Sequence, residues 1–420
     1  MLRALQESGQ FSVLAANVAG LPALISSGNP AVNSVELGAR LNKYDIVNVQ
    51  EDFNYHTELL QKNTHAYVTA HSGGVPFGSG LNTLSNFKFT DVGGIDRVKW
   101  NKCSTFEGAD CLTPKGFTYV QVALADGVNV DIYNLHADAG TSAADLTARA
   151  ANIDQITDYI LTNSKDAPVI VFGDTNTRYT RSGDNIRSLA SRAGLTDAWV
   201  AKTRNGVPPT QGADAIVCEL DKTTNACEVV DKIFYRGSRL LNLNLVEFNT
   251  ETQQFYDAAN KSLSDHAPIK SVFSWTLNSA IRSSSAFGGP HGTPFTDVGV
   301  VPTASKVSSI SLRASKRVDA VSITAASTSM THGGTGGTLS SLTLNVGEYV
   351  KSVEIHTDKY QDHTRVFYVK FTTSTGRTLA AGTTTANKTT YTAPSGWQIA
   401  GFHGRAGDEI DALGAVYTKV

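Results

Sequence analysis

Apolar and polar positions alternate from Phe11 to Val18, the two-residue period of a strand, and the run delivers Asn17 near its end. A short helix is predicted from Asn33 or Ser34 through Leu41, followed by a strand from Asp45 to Gln50 that carries Glu51 at its tip. The arrangement then recurs. Val128 to Leu135 reads as a strand ending at His136, and Asp145 to Thr162 has helical periodicity through Leu146, Ala150, Ile153, Ile156 and Ile160. Val169 to Gly173 is a short apolar run with Asp174 and Asn176 beyond it. Asp231 opens a strand over Lys232 to Tyr235, and Asp265 and His266 immediately precede a strand from Ile269 to Trp275.

Polar residues thus stand at the ends of apolar strands all the way from Asn17 to His266, as a site on the rim of a two-sheet sandwich requires. After Trp275 the segment TLNSAIRSSSA is small and polar and reads as a linker. Beyond it Gly, Thr, Ser and Val dominate. Alternation over Lys306 to Leu312, Arg317 to Ile323, Thr338 to Asn345, Val350 to His356 and Val366 to Thr372 predicts an all-strand domain. The expected organisation is a two-sheet α/β sandwich over residues 1–275, a linker over 276–286 and an all-β domain over 287–420.

Composition narrows the function. The chain has 420 residues with 36 Lys+Arg against 38 Asp+Glu, a net charge of -2, which disfavours a protein that holds nucleic acid by bulk electrostatics. No run of apolar residues is long enough for a membrane-spanning helix. The opening MLRALQESGQ has neither a long apolar core nor a cleavage site, so it is not a complete secretory signal. Four cysteines fall into two close pairs, Cys103 with Cys111 and Cys218 with Cys227. Local pairing is the simplest of the three connectivities, with unconnected thiols as the alternative, and two local disulfides fit a secreted, extracellular protein.

Asn17, Glu51, His136, Asp174, Asn176, Asp231, Asp265 and His266 form a set able to bind a hard divalent cation and move protons. Carboxylate and amide oxygens suit Mg²⁺, Ca²⁺ or Mn²⁺, and the lack of a cysteine cluster or HExxH pattern weighs against a dedicated zinc site. Phosphoryl transfer uses such a mixture, because an ion neutralises phosphate oxygens while one imidazole activates water and another stabilises developing charge. Each residue alone has an ordinary use: Asp174 and Asn176 can build an Asx-turn, Glu51 a solvated strand end.

In order along the chain come NVAGLP at Asn17 to Pro22, VQE at Val49 to Glu51, LH at Leu135 and His136, GDTN at Gly173 to Asn176, VDKIFY at Val230 to Tyr235 and SDHAP at Ser264 to Pro268. This series resembles the endonuclease/exonuclease/phosphatase superfamily, which includes pancreatic-type deoxyribonucleases and sphingomyelinases. The resemblance implies a metal-dependent phosphodiesterase in which Glu51, assisted by Asn17, holds the cation, with Mg²⁺ foremost. It implies that Asp174 orients the attacking water and that Asn176 bonds a phosphate oxygen. His266 would be the general base, oriented by Asp231, His136 would stabilise the phosphate or protonate the leaving group, and Asp265 would join the metal or water network. DCLTPKGFTYV at Asp110 to Val120 and GLNTLS at Gly80 to Ser85 resemble secreted sphingomyelinases, and no acidic counterpart of the deoxyribonuclease Glu behind the first histidine is seen. That favours a phospholipid substrate, although the paired-aromatic hairpin of bacterial sphingomyelinases is missing. DNA or RNA is the alternative, with Arg178, Arg181, Arg187, Arg204, Arg236 and Arg239 as candidate phosphate contacts.

GGPHGTPFTD at Gly288 to Asp297 and GFHGRAGDEIDALGAVY at Gly401 to Tyr417 resemble the opening and closing segments of jacalin-related lectins, three-sheet prisms. The resemblance implies a glycan site at Gly292, Asp408, Glu409 and Asp411, docking to glycosylated surfaces, and, as a further alternative, a non-catalytic sugar-binding protein.

Overall fold

Phe11, Val13 and Ala15 point one way from their strand and Leu14, Ala16 and Val18 the other, and both sets are buried. A strand covered on both faces lies inside a layered domain. The computed structural model describes residues 6–24, 28–90, 94–104, 110–303 and 306–420, so the first five residues of the amino-terminal segment discussed above lie outside it. Among the described residues, Ser8–Asn17 is central in a six-stranded sheet, parallel to Ile46–Gln50 and antiparallel to Ile269–Leu277. A seven-stranded sheet faces it, built around Val169–Asp174, Val128–Leu135, Gly116–Ala125 and Asp231–Arg236. Phe11, Val13, Ala15 and Ile46 meet Ile132, Val169, Val171 and Ile233 in the shared core.

Helices cover the outer faces. Ala143–Asn163 starts at a capping box between Ser142 and Asp145 and buries Ile153, Ile156 and Ile160. Pro30–Leu41 begins before the predicted Asn33 or Ser34, because Pro30 enters the first turn with its φ already helical and no amide to satisfy. Its Leu37 and Leu41 pack on Leu14, Val47 and Val49.

Toward the carboxyl end of Ile46–Gln50 the inward-facing positions change from Ile46 to Asn48 and Gln50. The sandwich interior there is a network of buried amides. Asn48 donates to the backbone oxygens of Tyr133 (3.0 Å) and Phe172 (2.9 Å) in the opposite sheet, and accepts from the Thr83 hydroxyl at 2.7 Å. Asn134 answers from the other sheet, donating to Val49 (2.9 Å) and Asn82 (3.0 Å) and accepting from Gln50 at 2.7 Å.

The carboxy-terminal region is all strand. Its three sheets, of five, four and four strands among the described residues, enclose a core that includes Ile310, Leu312, Val353, Phe371, Phe402 and Val416. The segment expected to be a linker is instead built into the structure. Ile281–Ser283 pairs with Ile410–Lys419, Ile281 is buried, and Ser283 donates to the backbone oxygen of Gly127 at 2.7 Å. Leu240 of the sandwich region belongs to the second core, and Arg239 donates to the oxygen of Val301 at 2.7 Å. Small polar residues signalled irregular chain, but Ile281, Arg282 and Ser283 among them still complete a sheet edge whose partner lies at the far carboxyl end.

Replacing Asn48 with Ala should strand two backbone oxygens and a hydroxyl in the interior, lowering stability by about 2–4 kcal/mol. Urea unfolding of the variant should show a lower midpoint, and an unchanged midpoint would mean the network contributes nothing.

Candidate active site

Strand pairing brings the polar strand ends together. Asn17 lies beside Gln50, so Glu51 emerges next to it, and Asp174 is the cross-strand partner of Asp231 and forms a bridge with His136. A Cβ at Gly173 would sit 2.5 Å from the backbone oxygen of Leu135, so a glycine is needed for this approach. Glu51 and Asn176 both have left-handed backbones, with φ of 57° and 51°. Such conformations cost energy in non-glycine residues and concentrate at functional sites.

Asp174 Oδ2 is the hub. It receives the Asn17 amide at 3.3 Å, lies 3.3 Å from His136 Nε2 and 3.7 Å from His266 Nε2. Asn17 also donates to Glu51 Oε1 at 3.1 Å. His266 Nδ1 meets Asp231 Oδ2 at 2.9 Å, and the buried Asp231 Oδ1 has no partner among the described residues. Ser264 ties this strand end to Asn17, donating to its backbone oxygen at 2.6 Å and accepting from the His266 amide at 3.2 Å. Asn176 and Asp174 also make the Asx-turn, the Asn176 amide donating to Asp174 Oδ1 at 2.9 Å, and the Asn176 side chain donates to the Ala137 oxygen at 3.0 Å.

The two histidines hold protons oppositely. Burial opposes charge on His266, but Asp231 and Asp174, with Asp265 beyond them, outweigh it and hold the imidazolium well above the usual histidine range. Burial also opposes charge on His136, and there Lys115 and His266 add to the effect, so its proton affinity falls well below that range. Burial raises Asp174 to about 6, with His266 and Lys115 pulling against Asp231. His136 is fixed by the Trp100 indole, which donates to its backbone oxygen at 2.7 Å, and its buried Nδ1 has no partner among the described residues. Among the described residues no carboxylate bonds this Nδ1.

Lys115 has no role in the sequence reading beyond its KGF motif, yet its Nζ is 3.0 Å from His136 Nε2 and ion-paired with buried Asp110. The motif resemblance was the available signal, since a lysine before a strand usually faces water. Asp265 is exposed, and among the described residues it makes no hydrogen bond or ion pair linking it to Glu51 or Asn17. It lines a cleft of about 350 Å³ beside His266, with Asn176, Arg178, Arg181 and the Cys218–Cys227 disulfide. Cys103–Cys111 is also a disulfide. Of the other arginines proposed for phosphate, Arg187 bonds the Tyr179 oxygen (3.0 Å), Arg236 the Ser164 oxygen (2.5 Å) and Arg239 the Val301 oxygen, while Arg204 lies over Trp199. Those four serve the framework.

In the second region, Gly292 has φ of 70°, and a Cβ there would lie 2.4 Å from Asp411 Oδ2. Asp411 is fully buried, its Oδ1 ion-paired with Arg365 and its Oδ2 without a partner among the described residues. Asp408 is exposed on the adjoining turn. Glu409 corrects the expectation of a free sugar contact, because Arg317 binds its carboxylate at 2.7 and 2.5 Å.

Residues 30–205 match the family model for endonuclease/exonuclease/phosphatase family 2, and residues 284–416 match that for the jacalin-like lectin domain. The chain therefore carries an endonuclease/exonuclease/phosphatase domain joined to a jacalin-like lectin domain. Within that superfamily the amino-terminal domain is sphingomyelinase-like. A sphingomyelinase of Mycobacterium tuberculosis is 40% identical over 285 residues, covering 66% of this chain and 55% of the relative. The chain thus spans about half the length of the curated relatives it matches. Similar solved structures include a beta toxin from Staphylococcus aureus with bound magnesium ions (18% identity, 63% of this chain and 99% of that one, TM-score 0.44). Malaysian banana lectin is 27% identical, covering 33% of this chain and 98% of that one, with a TM-score of 0.30.

Replacing Lys115 with Met removes a positive charge beside His136, so the His136 pKa should move up toward the ordinary histidine value. Titration of the imidazole by nuclear magnetic resonance checks this; no upward movement would mean that burial and His266 set it without Lys115.

Proposed function

We propose that the chain is a secreted, divalent-metal-dependent phosphodiesterase of the sphingomyelinase or phospholipase C type, with a carbohydrate-binding module at its carboxyl end. The observation that carries this is the convergence of Asn17, His136 and His266 on Asp174 with Glu51 alongside. The mycobacterial sphingomyelinase likeness supports the substrate class, and the disulfides support an oxidising location.

Apart from the Asn17 amide, the Glu51 carboxylate has no partner among the described residues, which fits a hard cation such as Mg²⁺, or Ca²⁺ or Mn²⁺. Glu51 and Asn17 would hold it, and when bound it supplies charge neutralisation at phosphate. His266 takes the proton of the attacking water through Nε2 once the ring is in its neutral form, and Asp231, engaging Nδ1, fixes the tautomer and strengthens the ring as a base. Asp174 aligns that water between the histidines, and Asn176 offers its amide to a phosphate oxygen. His136 and Lys115 face the phosphate and steady its charge, and since the neutral His136 ring accepts from Lys115, the ammonium is the proton source for the departing alcohol as the phosphorus–oxygen bond breaks. Asp265 adds negative charge at the cleft mouth. In the lectin domain, Asp411 Oδ2 and the backbone around Gly292 and Asp408 bind sugar hydroxyls, with Glu409 bracing the turn through Arg317.

Sphingomyelin, glycerophospholipid, DNA and RNA should be compared with His266→Ala as the blank. Headgroup release from sphingomyelin, lower by at least about 10²-fold in the variant, is expected. Nucleic-acid cleavage without lipid turnover would instead establish a deoxyribonuclease-like enzyme, and glycan retention without any turnover a sugar-binding protein. Asp411→Ala should abolish retention on glycan-bearing surfaces and leave turnover of a soluble substrate unchanged; retention equal to that of the parent protein would remove Asp411 from the sugar site.

A further inference from the structure

One residue beyond Glu51, the chain turns Asp52 into a second cluster. Asp52 is 2% exposed, and its Oδ2 is held by the Asn82 amide at 2.7 Å and by His56 Nδ1 at 2.6 Å. His71, from the following loop, reaches the backbone oxygen of Asp52 through Nε2 at 3.1 Å. The two imidazoles lie face to face, 4.3 Å apart and 7° from parallel. One ligand atom from each of the three residues falls within 4.8 Å of the others. Among the described residues, His56 Nε2 and His71 Nδ1 have no hydrogen-bond partner.

We propose that Asp52, His56 and His71 form a second metal site, suited to a borderline divalent cation of the Zn²⁺ kind. Two imidazoles and one carboxylate are a zinc donor set with a coordination position left open, available once the proton shared by Asp52 Oδ2 and His56 Nδ1 is released to solvent on metal binding, whereas the oxygens of Glu51 and Asn17 suit a hard ion. The supports behind the ligands are already built. Asn82 fixes the Asp52 carboxylate while its own oxygen accepts from Arg97 at 2.9 Å. Such outer contacts orient metal ligands in advance. The cluster also bridges separate segments: His56 lies on the helix His56–Gln61, and His71 on the loop that leads to Gly80. The Gly80 oxygen accepts from the Asp52 amide at 3.0 Å, and a Cβ on Gly80 would lie 3.1 Å from the Glu51 Cα. A cation at Asp52, His56 and His71 therefore clamps this loop against the backbone that carries Glu51.

The test uses the full chain, stripped with a chelator and returned to buffer containing millimolar Mg²⁺. Calorimetric titration with Zn²⁺ should show one equivalent bound at micromolar concentration, and Co²⁺ should give the visible absorption of a low-coordinate nitrogen and oxygen site. His71→Ala, at an exposed position, and His56→Ala should each weaken Zn²⁺ uptake by at least about 10-fold, since losing even an outer-shell partner costs 10–100-fold. His363→Ala, which breaks the stacked His291–His363 pair elsewhere, should leave uptake unchanged, and so should Glu51→Gln, which separates this site from the proposed catalytic one. No uptake by the parent chain, displacement of Zn²⁺ by millimolar Mg²⁺, or uptake in both cluster variants equal to that of the parent would overturn the proposal.

Discussion

The active site depends on a polar seam between two sheets. Sheets packed face to face ordinarily meet through apolar side chains about 10 Å apart, and such packing tolerates small slips. Beneath this site the contact is made by amides: Asn48 reaches two carbonyls of the opposite sheet and Asn134 reaches two carbonyls in return. Burying these groups is unfavourable unless every bond is made, and hydrogen bonds have short range and defined direction. One relative placement of the sheets satisfies Asn48 and Asn134, while Gln50 Oε1 has no partner among the described residues. Asn17 and Glu51 exit from one sheet, Asp174, His136 and Asp231 from the other, so the seam sets the separations within the site.

That placement explains the opposed behaviour of two similar imidazoles. Both are desolvated, which disfavours charge on either. His266 faces two carboxylates and His136 faces a lysine as well as Asp174, so neighbouring charge decides which ring keeps its proton. Two groups of the same kind are driven apart in proton affinity, the arrangement that acid–base chemistry at a single centre uses. Lys115 is not itself isolated, because its pairing with Asp110 keeps the ammonium from being a lone buried charge.

Much of this was legible in the sequence, for a definite reason. Strand periodicity marks where a strand begins and stops; Asn17, Glu51, His136 and Asp174 stand at or just past carboxyl ends and Asp231 and His266 at or before amino ends, so they could be located before their partners were known. What periodicity does not encode is the partner. Asn48 and Gln50 occupy inward positions, where alternation predicts apolar residues, and nothing local shows that carbonyls of the other sheet await them. Glu409 and Asp411 sit in one motif, but Arg317, from a turn, and Arg365, from another strand, which engage them, are far away in sequence. The arginines show the same limit in reverse: composition counts charges near the site and cannot say that four of them are spent on carbonyls and aromatic rings.

The junction between the two regions follows from packing as well. A flexible spacer would leave each core to close on itself, but Leu240 crosses into the second core and Ile281–Ser283 supplies that region's sheet with an edge strand. Arg239, from the sandwich, closes on the oxygen of Val301, and Arg282 pairs with Glu7 at 2.6 Å. These contacts come from both ends of the sandwich sequence, so the second region is fastened at several points. In the proposed reading this changes what the sugar-binding module does. On a loose tether it would only raise local concentration, through an effective molarity set by linker length. Fastened by shared core residues, it also fixes the angle at which the catalytic cleft meets a glycosylated surface, so attachment and orientation become one event.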